Sequence, residues 1–278
     1  MEEGKKFAVL LCAEDSEYVK QNYGGYYGVF LRMLAEEGET WSVFRVARGE
    51  FPADDEIGEF DGYVITGSCG DAHGNDVWIC DLLSLVTKLD AMKKKVLGIC
   101  FGHQGAIQIQ HIKIQLQTIV LIQTIAPKSD ISLQLQILGR ALGGKTGRAT
   151  AGWDIGVTAI HISSSSSLCN SLKLPAFLDV IECHRDEIKE LPVKAEIIGW
   201  SNKTGIEMFR YGDHIMGIQG HPEYTKGIIL NLIDRLLQHN LIGNDVAITA
   251  KAKLEEAHDE PNREAWKKLC TSFLKGRL

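Results

Sequence analysis

The stretch Val96-Leu97-Gly98-Ile99-Cys100-Phe101-Gly102-His103-Gln104 decides how the rest of the chain is read. Val96 to Cys100 is a short apolar run of the kind that forms a strand buried on both faces, and it ends in a Gly-x-Cys-x-Gly turn. A nucleophile on a sharp strand-to-helix turn needs small neighbours, because the backbone there is strained and adjoining elements come close. Gly98 and Gly102 meet that need. The thiol would point from the sheet edge into a ligand crevice, with the positive end of the following helix favouring its thiolate. A cysteine in an apolar run is more often a structural one, so the motif gains meaning only with a partner elsewhere.

That partner is Ile218-Gln219-Gly220-His221-Pro222-Glu223, which follows another apolar run and precedes a helix that Thr225 can cap. A thiol nucleophile needs a base, and the base needs a carboxylate to fix its tautomer and stabilise the imidazolium. By itself His-Pro-Glu reads as a surface turn. In a chain that carries the cysteine turn, it makes Cys100, His221 and Glu223 the catalytic candidates.

Working outward, Phe7 to Cys12 and Tyr63 to Thr66 are similar buried-strand runs. Between the runs, Val29, Leu31, Met33 and Leu34 mark one helix. Val77, Ile79, Leu82, Leu83, Leu85, Val86 and Leu89 recur at helical spacing in another. This alternation predicts an α/β fold of three layers, helix, mainly parallel sheet, helix, with ligands at the strand carboxyl ends. Further on, Asp179 to Cys183, Glu196 to Ser201, Ile206 to Tyr211 and His214 to Gln219 read as short strands of an antiparallel patch. Ile229, Leu232, Ile233, Leu236 and Leu237 form the stripe of the helix after Thr225. We expect one domain over residues 1–242 and a helical tail over 243–278. In that tail, broken at Pro261, the stripe Trp266, Leu269, Cys270, Phe273 and Leu274 is expected to dock onto the domain, with a partner-binding helix as the alternative.

The pair Gly-Ile-Cys-Phe-Gly-His-Gln and Gly-His-Pro-Glu resembles the triad signature of class I glutamine amidotransferase domains, over most of residues 6 to 241. Within them the chain is similar to plant γ-glutamyl peptidases. Asp61-Gly62-Tyr63-Val64-Ile65-Thr66-Gly67-Ser68, Gly152-Trp153-Asp154-Ile155-Gly156 and Glu182-Cys183-His184-Arg185-Asp186-Glu187 carry that likeness. The resemblance implies a flavodoxin-like sheet and a cysteine hydrolase acting on the γ-glutamyl bond of glutathione conjugates, in the making of glucosinolates and related sulfur compounds. It also implies an oxyanion hole from the backbone of Phe101 and of the Gly67-Ser68 turn, with Gln104 beside it. His184 and Arg185, on a loop after a strand, are candidate substrate contacts whose alternative is a satisfied surface turn. Cys69 lacks the turn spacing of a second nucleophile. His73 and His103 have no paired ligand spacing, so neither a metal nor a cofactor is expected.

One segment breaks the pattern. From Gly105 to Gln136 the chain is rich in Gln and Ile and nearly uncharged, and it alternates with a strand period where a helix is expected. With residues 105–136 removed, Gln104 joins Ile137 as Gly-His-Gln-Ile-Leu-Gly-Arg-Ala-Leu-Gly-Gly-Lys, a helix closing on a glycine cap. We therefore read 105–136 as an insertion, of the kind a retained intron translated in frame would leave, with a functional lid as the alternative. An insertion there removes the helix that would stabilise the thiolate.

Composition bounds the rest. The 278 residues are 45% hydrophobic with a formal charge of −6, which gives no attraction to nucleic acid or an anionic membrane. No apolar stretch is long enough to span a bilayer. The amino terminus lacks a signal-peptide pattern, and seven cysteines without paired short spacings point to free thiols in the cytosol. The expected partner is a small γ-glutamyl substrate, and nothing indicates a protein partner. A glutaminase component of an amidotransferase would need one, and a form inactivated by the insertion is the other alternative. An α/β-hydrolase with a cysteine turn is disfavoured, since it orders acid before histidine.

Overall fold

The computed structural model describes residues 4–68, 76–100, 145–191 and 193–277. In chain order its elements are β1 (Lys6–Leu10), α1 (Glu17–Tyr23), α2 (Tyr26–Leu34), β2 (Thr40–Phe44), β3 (Gly62–Ile65), α3 (Val77–Ala91), β4 (Lys95–Ile99) and β5 (Lys145–Arg148). There follow β6 (Asp154–Ile162), α4 (Ser167–Ser171), β7 (Phe177–His184), β8 (Asp186–Glu190), β9 (Ala195–Ser201), β10 (Gly205–Tyr211) and β11 (Ile215–Ile218). The chain ends in α5 (Lys226–Gln238), α6 (Asn244–Glu256) and α7 (Arg263–Leu274). The segment 105–136, on which the insertion reading rests, lies outside the described residues.

Strands β2-β1-β3-β4-β11 run parallel, and β10, β9, β6 and β7 continue the same sheet antiparallel. The antiparallel part is four strands, as many as expected, but β6 is added to it and β11, expected within it, runs parallel beside β4. The three layers follow from strand alternation, since successive side chains face opposite sides. On β1 and just beyond it, Phe7, Val9 and Leu11 enter one core, where residues of α2, α5, α6 and α7 pack. Ala8, Leu10 and Cys12 enter the other, with Ile79, Leu82, Leu85, Val86 and Leu89 of α3. Both faces are dry, which is why these strands read as unbroken apolar runs.

The antiparallel part bends. Strand β6 pairs with β9 only at His161 and Ile162, yet pairs with β7 along its length from Asp154 to His161. The β6–β7 hairpin thereby swings back, and Ile181 of β7 forms an isolated bridge with His221, just past β11 in the middle of the sheet. The tail docks as expected. Trp266, Leu269, Cys270, Phe273 and Leu274 are all buried, and the Trp266 indole N–H donates to the Asp179 carbonyl at 2.8 Å. A Cβ at Gly62 would come within 2.8 Å of the Leu274 side chain, so the glycine lets α7 lie close on β3. Among the described residues no helix is long and apolar enough to cross a membrane.

Candidate active site

Cys100 follows directly on β4, whose Gly98 is in register with Ile65 of β3 and Gly217 of β11. Its φ is 51°, a left-handed conformation that a residue with a Cβ holds only where the surroundings impose it, at a cost of about 1–3 kcal/mol. The surroundings here include a hydrogen bond from the Cys100 N–H to the Ile218 carbonyl at 2.8 Å, which fixes the turn against β11. The Gln219 side-chain amide, fully buried, donates toward Sγ at 3.9 Å, a weak contact. The bystander thiols are different. Burial pushes Cys12 up to about 12 and raises Cys169 and Cys270, so these three stay protonated and inert.

His221 and Glu223 lie on the turn between β11 and α5. The His221 N–H donates to the Ile181 carbonyl at 2.7 Å, so the far hairpin of the sheet pins the backbone that carries the imidazole. Nδ1 is 2.8 Å from Oε1 of Glu223, and both side chains are almost fully buried. A carboxylate there accepts, which places the proton on Nδ1 and leaves Nε2 as the basic nitrogen. Tyr224 stacks on the imidazole with ring centroids 4.0 Å apart and planes 7° from parallel, clamping the ring. Burial first, then neighbouring Tyr26, raises the Tyr224 hydroxyl well above the ordinary tyrosine value, so the clamp is neutral. Helix α5 starts where Thr225 Oγ1 accepts from the Ile228 N–H, which fixes the exit of this turn.

Gly67 brings the two segments together. A Cβ on it would be 2.8 Å from His221 Cε1 and 3.6 Å from Cys100 Cβ, so the glycine backbone lies against both. Gly67, Ser68, Cys100, His221 and Glu223 border one cavity of about 300 Å³, and His184 and Arg185 also line it. The structure thus gathers seven of the nine residues singled out from sequence around one space. Phe101 and Gln104 lie outside the described residues. Arg185 is exposed, whereas His184 is buried with its ring against protein groups. Sequence reasoning gave no role to Gln219, Tyr224, Ile181, Arg148 or Trp153. Gln219 and Tyr224 flank the His-Pro-Glu motif and were open to suspicion; Ile181 carried no signal, because its part depends on a bridge across the sheet.

The cavity wall divides by chemistry. Phe30, Trp153, Leu232, Leu236 and Leu241 supply apolar surface, and Trp153 is fixed by its indole N–H donating to the Leu241 carbonyl at 3.1 Å. Arg148 and Arg185 supply positive charge, with Arg148 paired to Asp186 at 3.0 Å. Behind the His221 turn lies a buried polar group of Glu182, His184 and Glu207. Burial, then the charge of Asp154, raises Glu182 well above the carboxylate range. Burial, then Glu182, pushes Glu207 up to about 8, and burial lowers His184.

Comparison with known proteins places this geometry in company. The class-I glutamine amidotransferase family matches residues 117–229, a span that holds His221 and Glu223. γ-Glutamyl peptidase 5 of Arabidopsis thaliana is 44% identical, over 99% of this chain and 97% of that protein. γ-Glutamyl peptidase 3 of the same plant is 41% identical, over 99% of each. Among solved structures, a glutamine amidotransferase from Thermotoga maritima superposes with a TM-score of 0.64 at 17% identity, covering 99% of this chain and 100% of that one. A glutamine amidotransferase from Methylobacillus flagellatus gives 0.63 at 17% identity, over 99% and 93%. At such identities the two structures speak to the fold alone.

Proposed function

The chain belongs to the class I glutamine amidotransferase family and, within it, to the γ-glutamyl peptidases, and from that premise we propose that it hydrolyses γ-glutamyl amide bonds of glutathione conjugates through Cys100, His221 and Glu223. It is a hydrolase of the γ-glutamyl type. One observation carries the catalytic assignment. A cysteine held at φ 51° and an imidazole oriented by a carboxylate at 2.8 Å meet across Gly67 at one cavity.

The chemistry follows from these groups. Cys100 sulfur attacks the γ-carbonyl carbon as His221 Nε2 takes the thiol proton, giving a tetrahedral oxyanion. Glu223 holds the ring in the reactive tautomer and stabilises the imidazolium. Collapse of the oxyanion breaks the C–N bond, and the imidazolium returns its proton to the leaving amine. What remains is a γ-glutamyl thioester, which water, deprotonated by the same imidazole, opens to glutamate and free thiol. Backbone N–H groups of the Gly67-Ser68 turn and of Phe101 are the proposed oxyanion donors. Loss of one such donor costs about 3 kcal/mol in barrier height. The apolar wall of the cavity suits the substituent of a sulfur conjugate, and Arg148 and Arg185 suit its carboxylates. The same reading sets the reaction among those that make glucosinolates and related sulfur compounds.

The test is glutamate release from a glutathione S-conjugate, measured for the full chain, for a deletion of 105–136, and for Cys100→Ala in the active form. We expect release that Cys100→Ala abolishes, and a faster rate in the deletion if 105–136 is an insertion that harms the site. Folded protein that releases glutamate from glutamine but not from conjugates overturns the assignment in favour of a glutaminase.

A further inference from the structure

The polar group behind the His221 turn has a geometry that its own hydrogen bonds do not explain. Glu182, His184 and Glu207 are 0%, 4% and 1% exposed, and one ligand-type atom from each lies within 4.8 Å of the others. The His184 Nδ1 atom is 3.0 Å from the Asp186 carbonyl oxygen. A carbonyl only accepts, so Nδ1 carries the proton and Nε2 presents a lone pair. That lone pair faces Glu182 Oε2 at 3.2 Å, without hydrogen-bond geometry. Among the described residues, both oxygens of Glu182, His184 Nε2 and Glu207 Oε2 have no hydrogen-bond partner. The Ser201 hydroxyl holds the other oxygen of Glu207 at 2.5 Å. The neighbouring cation, Lys203, is already engaged, its Nζ 2.9 Å from Asp154 Oδ1 and 3.1 Å from the Trp153 carbonyl.

Four atoms without a hydrogen bond converge in a dry interior, where two carboxyls are tolerated only if protons neutralise them or a cation lies among them. We propose that Glu182, His184 and Glu207 bind one divalent transition-metal ion of the Zn2+ type. Two carboxylates and a dication make a neutral unit, which removes the main cost of burying them. One imidazole with two carboxylates is a donor set suited to Zn2+, whereas Mg2+ and Ca2+ prefer oxygen alone. A ring N–H donated to a backbone carbonyl, as at His184 and Asp186, is the arrangement that orients a ligating histidine. His184 also borders the cavity, so the group lies directly behind its wall. The residues come from β7 and β10, and none of them is a histidine on which the sequence reading set its expectation of no metal, His73 or His103.

The ion would brace the catalytic turn without touching substrate. A Cβ at Gly220 would be 2.6 Å from Glu182 Oε1, so the carboxylate lies directly against the residue before His221. The site does not depend on the hydrolase assignment, and its test does not read activity. Full-length protein is stripped with a chelator, loaded with Zn2+, passed through a desalting column over a competing chelator and analysed for metal. Thermal unfolding is followed over the same titration. We expect one Zn2+ per chain, a midpoint that rises and saturates at one equivalent, and an absorption-edge spectrum with nitrogen and oxygen ligands at about 2.0–2.1 Å. Glu182→Gln with Glu207→Gln is expected to weaken binding at least about tenfold, while Cys100→Ala leaves it unchanged. No stoichiometric Zn2+ on the wild-type chain overturns the proposal and assigns a proton-sharing acid cluster instead. Sulfur at about 2.3 Å in the spectrum, or binding lost with Cys100→Ala, overturns it in favour of the thiols. The spectrum decides the matter even if the double variant does not fold.

Discussion

The two halves of the sheet are built on opposite terms. In the parallel half, β1, β3, β4 and β11 bury both faces in apolar cores, and the functional residues are set by local events: a strand ends, the chain turns, and Gly67 or Cys100 is there. In the antiparallel half, β7 and β10 place Glu182, His184 and Glu207 in the interior, and the part played at the site is positional. Ile181 holds the His221 backbone, and Glu182 lies against Gly220. The nucleophile is therefore a product of one strand and its turn. The base is a product of a hairpin that folds back across the sheet to reach it.

This contrast is open to attack by substitution. The largest effect is expected at Glu223→Gln, which keeps the shape but no longer enforces the Nδ1–H tautomer of His221. The turnover rate should fall roughly 10^4-fold with little change in thermal midpoint. An unchanged rate would mean that orientation comes from the Tyr224 stack and the hairpin alone. Next are two glycine changes that push the same imidazole from opposite sides. Gly67→Ala puts a methyl group 2.8 Å from His221 Cε1 from within the parallel half. Gly220→Ala puts one 2.6 Å from Glu182 Oε1 and 2.8 Å from both Val180 methyls, forcing the turn off the hairpin. Misplacement of a catalytic group by an ångström costs on the order of 100-fold. We expect that loss in kcat for both, with KM nearly constant for Gly220→Ala. A Gly220→Ala protein that is folded and fully active breaks the claim that the antiparallel half positions the base.

A smaller and purely structural effect is expected at Thr225→Ala. It removes the hydroxyl that accepts from the Ile228 N–H and lies 2.8 Å from Tyr23 Oη. Loss of such a cap costs about 1 kcal/mol, read from the urea midpoint. The rate should hold, since the turn that bears His221 keeps its bond to Ile181.

The same contrast explains what was legible. Strands β1, β3 and β4 were read within a residue or two because burial on both faces leaves an unbroken apolar run in the sequence. The tail stripe from Trp266 to Leu274 was read from its helical spacing, and all five of its residues are buried. Strand β2 left no mark, being an edge strand whose residues are half-buried or exposed. Strand β6 was hidden by Gly156 at φ 125° and by a run of small and polar residues among its apolar ones. Cys100, His221 and Glu223 could be named from motif chemistry. The part of Ile181 could not be, because it depends on where a distant strand ends up. The long-range register that decides this is written in no short stretch of sequence.

The smallest expected effect concerns the end of the chain, where the docked tail is tied to the parallel half by charge. Arg277 meets Glu36 through two nitrogens, one of them at 3.0 Å, and the buried Lys275 ammonium is 3.2 Å from the same carboxylate and 2.6 Å from Glu39. The Arg277 hydrogen bond, helped by Lys275 and opposed by burial, lowers the Glu36 carboxyl from 4.5 to about 2. A carboxyl depressed on folding adds stability that is complete above its unfolded value and is lost as pH falls toward its folded one. The gap in thermal midpoint between wild type and Arg277→Gln should therefore be constant above about pH 5 and should close between about pH 4.5 and 2. Because the Arg277 side chain is 51% exposed, the gap should be small and should shrink further in high salt. A gap that persists at pH 2 would show that Arg277 holds the tail by packing instead of charge, and the tail would then be bound by the same apolar terms as the strands beneath it.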